Sequence, residues 1–197
     1  MKVLALELSA PVGSVAFCDG SATRDFRTFP ADRKDSGFFY ENLRAIYQGD
    51  GPPDLIAVGL GPGSYAGVRI AIATAIGLGA AAGARLRGLP SICAIAREEY
   101  LFVGDARRNS YVFAHIIDGR CIAGPELANE DETRARLREA ADVPIIATEP
   151  LPQLEKVIVE QPSALRLVEL ASRTSDDPEA ALEPIYLRAP YITTPRK

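Results

Sequence analysis

The chain opens on an apolar run, Val3-Leu4-Ala5-Leu6, closed by Glu7, and a second apolar patch follows Pro11-Val12-Gly13. This pattern predicts a strand over residues 2–8 and another over 14–18, with residues 11–13 turning between them. Asp19-Gly20-Ser21 is a hairpin signal leading into a third strand over 23–29. The chain therefore begins as a three-strand antiparallel meander. Asp35 or Ser36 is placed to cap a helix running to about Tyr47, with Phe39, Leu43, Ile46 and Tyr47 on one stripe at i, i+4, i+7 and i+8. Gly49 to Pro53 end it. A short apolar strand over 55–60 leads through a Gly-rich turn into a long helix over 64–83. A strand over 86–89 and a helix capped by Ser91 follow.

After Glu98-Glu99 the pattern restarts. Residues 100–103 and 111–117 read as strands, and Asp118-Gly119 as another hairpin turn. A charged helix over 130–141, strands over 143–147 and 157–159, an amphipathic helix over 162–172 and an extended end over 183–197 complete the chain. Strands in a meander followed by helix, strand and helix suggest a mixed sheet covered by helices, in an α/β chain of two lobes. The lobes are residues 1–98 and a smaller one, 99–197, with an extended tail.

Composition removes several function classes. The 197 residues carry a net charge of −4, 47% are hydrophobic and 24% charged, so no basic surface drives the chain onto nucleic acid or an anionic membrane. The cysteines, Cys18, Cys93 and Cys121, are too scattered for a disulfide framework or a zinc site and fit a reducing cytoplasm. The single histidine, His115, sits in an alternating run and reads as a strand-face residue. No metal centre and no cofactor is expected.

The most informative stretch is Gly59-Leu60-Gly61-Pro62-Gly63-Ser64-Tyr65-Ala66-Gly67-Val68-Arg69. It lies between a strand and a helix, where phosphate-binding loops lie. Gly61-x-Gly63-x-x-Ala66 matches a loosened dinucleotide fingerprint, but the acidic residue about twenty positions on is missing. A P-loop needs Lys followed by Ser or Thr after its last glycine, and Val68-Arg69 stands there. A nucleophile elbow needs glycines two positions either side of the serine; Ser64 has Pro62 and Ala66. A tight turn with Ser64 as helix cap fits better, with N–H groups that an anion could still meet.

From Ser64 to Gly83 the only charge is Arg69, and Gly67, Ala71, Ala75, Gly79 and Gly83 recur every fourth residue. A helix lying on a sheet should show a polar outer face, and this one hardly has one. The charge-free stretch is short and Gly-interrupted for a membrane span. Two roles remain: a helix buried by its own neighbours, or, with the preceding helix, a protein–protein interface. If the interface role holds, Ile72→Glu or Ala75→Trp should abolish partner binding and leave the monomer folded.

Gly61-Pro62-Gly63-Ser64-Tyr65-Ala66-Gly67-Val68-Arg69 resembles the Gly-Pro-Gly-Ser-aromatic-x-Gly-x-Arg motif of the TsaB (YeaZ) family. Leu4 to Ser9 with Gly13 to Ala16, Asp105-Ala106-Arg107, and Glu183-Pro184-Ile185-Tyr186-Leu187-Arg188 resemble three further segments of that family, in the same order. The resemblance implies an actin-like, ribonuclease-H-like fold of two lobes, the second reduced, related to that of the sugar kinases. It implies a cytoplasmic, non-catalytic subunit that supports a TsaD-like catalytic subunit, with a TsaE-like ATPase, in making threonylcarbamoyladenosine in tRNA. The tRNA is met only indirectly, and homodimers use the same surface. The resemblance places the partner interface on the first two helices, here Phe39, Leu43, Tyr47, Val68, Arg69, Ile72, Ala75, Ile76 and Gly79. Any anion or nucleotide would meet Glu7, Ser9, Gly61, Gly63 and Ser64. The chain departs from the family at Glu7-Leu8-Ser9, where Asp-Thr-Ser is usual, which weakens an ATP-binding role. Two alternatives stay open. One is a small actin-like ATP-binding enzyme using Glu7, the glycine turn and Asp105; the other is an inactive glycoprotease-like homologue acting as a homodimer.

Overall fold

In a computed structural model, residues 1–31, 36–140, 142–173 and 182–188 are described. The first sheet is built from β1 (Lys2–Glu7), β2 (Val12–Asp19) and β3 (Ala22–Pro30), each antiparallel to the next. α1 (Gly37–Asp50) follows, then β4 (Leu55–Gly59) parallel to β1, α2 (Tyr65–Ala82), and β5 (Arg85–Leu89) parallel to β4. The strand order is β3-β2-β1-β4-β5.

β6 (Glu99–Asp105), β7 (Ser110–Ile117) and β8 (Arg120–Asn129) form a second antiparallel meander. α3 (Glu130–Glu139) follows, its start closed by a reciprocal Asn129–Glu132 capping box. β9 (Ile145–Ala147) then pairs parallel to β6, and β10 (Val157–Val159) parallel to β9. The order β10-β9-β6-β7-β8 repeats the topology of the first sheet. The two lobes are thus structural echoes, and the second is reduced most at residues 148–156, turns and bends that stand where α2 stands in the first.

Central strands buried on both faces explain the unbroken apolar runs. Leu4 and Leu6 of β1, with Ile56 and Val58 of β4, point to the side covered by α1 and α2. Val3, Ala5, Leu55 and Ala57 point to the other side, against α4 (Ala164–Arg173). α4 is wedged between the sheets. Leu167 and Ala171 pack on the first, while Leu170 joins Tyr100, Phe102 and Ile116 of the second. Ser14 Oγ accepts from Ala164 N at 2.9 Å and fixes its start. A helix from the second half of the sequence is therefore a layer of the first lobe.

Several boundaries move. β2 begins at Val12, inside the expected turn, and α1 runs past Tyr47 to Asp50. Ser36 precedes α1 without a side-chain capping bond, and Asp35 lies outside the described residues. The helix expected after Ser91 is a single 3₁₀ turn, Ser91–Cys93. Pro162 stands before α4 rather than in its first turn. Residues 182–188 carry no regular structure, and 189–197 lie outside the described residues.

Candidate functional site

The glycine turn between β4 and α2 is bolted to the end of β1 and to the 3₁₀ turn. Gly61 N donates to Ser91 Oγ at 3.0 Å, and Ser91 N returns a bond to Gly61 O at 2.8 Å. Ser64 N donates to Ser9 O at 2.7 Å, and Ser64 Oγ caps α2 by accepting from Gly67 N at 3.3 Å. Gly61 holds φ +85°, which a side chain would resist. Gly63 approaches so closely that a Cβ there would lie 2.2 Å from Ser9 O. A phosphate cradle aims such N–H groups at a ligand. Here those of Gly61, Ser64 and Gly67 are already donated inside the protein.

Glu7 ends β1 beneath this turn and is fully buried. Its Oε1 accepts from Ser9 N at 2.7 Å, while Oε2 is an orphan in the interior. Burial pushes the carboxyl above the usual carboxylate range, against the smaller opposing pull of Ser9 and the Ser91 hydroxyl. Gly59 has no side chain because there is no room: a Cβ would meet Glu7 Oε2 at 1.9 Å. Of the expected anion contacts, Glu7, Ser9, Gly61, Gly63 and Ser64 do cluster, but as a structural clamp between strand and helix.

α2 divides the expected interface residues. Val68, Ile72, Ala75 and Gly79 are buried against the sheet, as are Phe39 and Leu43 of α1, and Tyr47 is half-buried on the same core. The every-fourth-residue stripe lies on the core side from Gly67 to Gly79, with Gly83 exposed at the helix end: a Cβ on Gly67 would meet Leu8 O at 2.0 Å, and one on Gly79 would meet Leu86 at 2.6 Å. Gly67 admits the chain's own backbone and Gly79 the Leu86 side chain, so of the two roles left open, packing against the chain's own neighbours accounts for these small residues. Only Arg69 and Ile76 of the α2 residues named are exposed. They share an outer face with Tyr65, Ala73, Gly77 and Ala80, on which Arg69 is the sole charge. Phe38 and Tyr40 of α1 are also exposed. By length and composition α2 could cross a membrane, but its core side is a layer of this fold.

Between the lobes lies a cleft of about 420 Å³. Ser9, Gly63 and Ser64 face Gly104 to Arg107 across it, and residues 185–188 form a further wall. Asp105 accepts from Arg107 N at 2.7 Å and from its Nη1 at 2.8 Å. Glu7 and Asp105, paired in the enzyme alternative, are not brought together as lining groups, since Glu7 lies below the cleft floor. His115 pairs with Glu99 at 2.8 Å across β6 and β7, as a strand-face residue does. Burial pushes the Cys93 thiol up to about 12, too high for a nucleophile. Among the described residues no group of three His, Cys, Asp or Glu is placed to hold a metal.

Sequence reasoning left Tyr186 out of the site. Its ring stacks on Tyr65 with centroids 5.4 Å apart, and the Arg69 guanidinium lies 4.5 Å over Tyr65 and 6.0 Å from Tyr186. The available signal was that Tyr65, Arg69 and Tyr186 all fall inside the quoted motifs.

Residues 51–125, from before β4 into β8, match the family model TsaD, tRNA N6-adenosine threonylcarbamoyltransferase. An uncharacterized protein of Mycobacterium tuberculosis is 34% identical over 149 residues, 70% of this chain and 65% of that protein. An uncharacterized protein of Mycobacterium leprae is 39% identical over 79 residues, 39% of this chain and 22% of that protein. The chain thus spans less than two thirds of these relatives. Among solved structures, a Pseudomonas aeruginosa protein with similarity to peptidase YeaZ superposes with TM-score 0.76 at 23% identity, covering 95% of this chain and 99% of the other. YeaZ from Pseudomonas aeruginosa superposes with TM-score 0.73 at 22% identity, covering 94% and 99%. The chain has the fold of these YeaZ structures, an α/β pair of mixed sheets with flanking helices.

Proposed function

We propose that this chain is a TsaB (YeaZ)-type, non-catalytic subunit of the assembly that makes threonylcarbamoyladenosine in tRNA. In this reading it docks a TsaD-like catalytic subunit on the outer face of α2, and a TsaE-like ATPase completes the set. The observation that carries the reading is that face itself. Tyr65, Ala73, Ile76, Gly77 and Ala80 are exposed on a helix whose only charge is Arg69. Leaving such a surface in water is costly, and covering it recovers about 25 cal/mol per Å². Aromatic and arginine side chains at its edge are the types that anchor interfaces. A second copy covering the same face gives the homodimer of the free chain.

Three further observations support this reading. The glycine turn spends its N–H groups on Ser9, Ser91 and Ser64, which disfavours the nucleotide-enzyme alternative. A net charge of −4 favours indirect contact with tRNA. Three free cysteines suit the cytoplasm. The test is reconstitution: purified chain alone should give no turnover, and modification of tRNA by TsaD-like and TsaE-like subunits with substrates should require it. Full modification without the chain would sink the reading.

A further inference from the structure

We infer that residues 182–188 form a strap that couples the interlobe cleft to the outer face of α2. Its coupling to a partner rests on the docking role proposed above; its coupling to the cleft does not.

The strap is held at three places. On the first lobe, Leu182 packs on the core, where a Cβ at Gly88 would lie 3.0 Å from it, and Ile185 N donates to Leu60 O at 2.9 Å. In the middle, the Tyr186 ring lies on Tyr65 at an interplanar angle of 26°, with Arg69 over the pair. At the far end, Arg188 Nη2 donates to Arg107 O at 3.5 Å, on the second lobe. That turn holds Arg107, Arg108 and Asn109 at φ 65°, 57° and 53°, a conformation residues with side chains adopt reluctantly. Between these anchors, Ile185 to Arg188 wall the cleft opposite Ser9 and Ser64.

Beyond Leu182, each anchor is individually weak. A stacked aromatic pair, a cation over a ring or one neutral hydrogen bond shifts a population by roughly two- to tenfold. Seating is therefore adjustable. A partner that packs on Tyr65, Arg69 and Tyr186 together meets its full surface only when the strap is seated. By linkage, that partner must hold the strap down and keep the cleft walled, by the same factor that seating strengthens its binding, and loosening the strap must weaken the partner.

Hydrogen exchange with mass spectrometry on the full chain tests the first link. Tyr65→Ala should speed exchange in the 182–188 peptide by about fivefold while β6 stays protected. Unchanged exchange there would overturn the strap. Binding of the TsaD-like subunit tests the second. Tyr186→Ala should raise Kd about tenfold at unchanged melting temperature, and the subunit should slow exchange across 182–188 in the wild type. Wild-type affinity in Tyr186→Ala would overturn the coupling. A subunit that binds neither protein refutes the docking role instead, and the strap is then judged on the Tyr65→Ala exchange alone.

Discussion

Ile72 and Ile76 stand one turn apart on α2 and should respond oppositely to the same charge. Ile76 is 49% exposed and Ile72 only 7%. Full burial of an isoleucine side chain contributes about 1.5–3 kcal/mol, so a partner covering the open half of Ile76 gains roughly 1 kcal/mol. In Ile76→Glu that gain is lost and a carboxylate must be desolvated at the interface, adding about 2 kcal/mol. The sum, about 3 kcal/mol, is roughly a hundredfold in Kd. Stability of the free chain should change by less than about 0.5 kcal/mol, as for an ordinary surface site. Ile72→Glu loses nearly the whole burial term and places a charge in the core that α2 shares with β1 and β4. The cost, about 5 kcal/mol or more, rivals the entire stability of a domain. Thermal melts by circular dichroism, paired with calorimetric titration of the TsaD-like subunit, separate the two. Ile76→Glu should melt like wild type and bind roughly a hundredfold more weakly; Ile72→Glu should fail to fold. Wild-type affinity in Ile76→Glu would place the contact elsewhere, and a normal melt in Ile72→Glu would refute the burial argument. The structure thereby reverses the sequence expectation that Ile72→Glu leaves the monomer folded.

Two further outcomes follow from the clamp beneath the glycine turn. Gly59→Ala would drive a methyl into Glu7 Oε2 and Ser91 Oγ, and should cost about 2 kcal/mol or more, read as a shift in urea midpoint at constant slope. Because burial raises the Glu7 carboxyl above its unfolded value of 4.5, the folded chain holds this proton more tightly than the unfolded chain. Glu7 therefore destabilises progressively as pH rises from about 4.5 through its folded pKa, and its stability contribution is complete only below that window. Glu7→Gln keeps an oxygen for Ser9 N and should raise stability at neutral pH while flattening the pH dependence that sets in above about 4.5 in melts. A steeper or unchanged slope in Glu7→Gln would remove Glu7 as its source.

Much of the fold was legible in the sequence because it is written locally. Hairpin turns at Asp19-Gly20 and Asp118-Gly119, apolar runs of strand length and the stripe on α1 gave the order of elements and a two-lobed α/β class. Tertiary packing decided the rest. α2 is apolar all round, so no polar face marked its outside. Its small residues fit a partner's backbone and the chain's own equally well, and only the approach of Leu8 and Leu86 selects between them. The N–H groups of the glycine turn look free in sequence, since their acceptors, Ser9 and Ser91, lie far along the chain. The wedging of α4 between the sheets and the seating of Tyr186 on Tyr65 are likewise long-range contacts. Periodicity specifies which residues share a face; which face meets water is settled only when the other elements have taken their places.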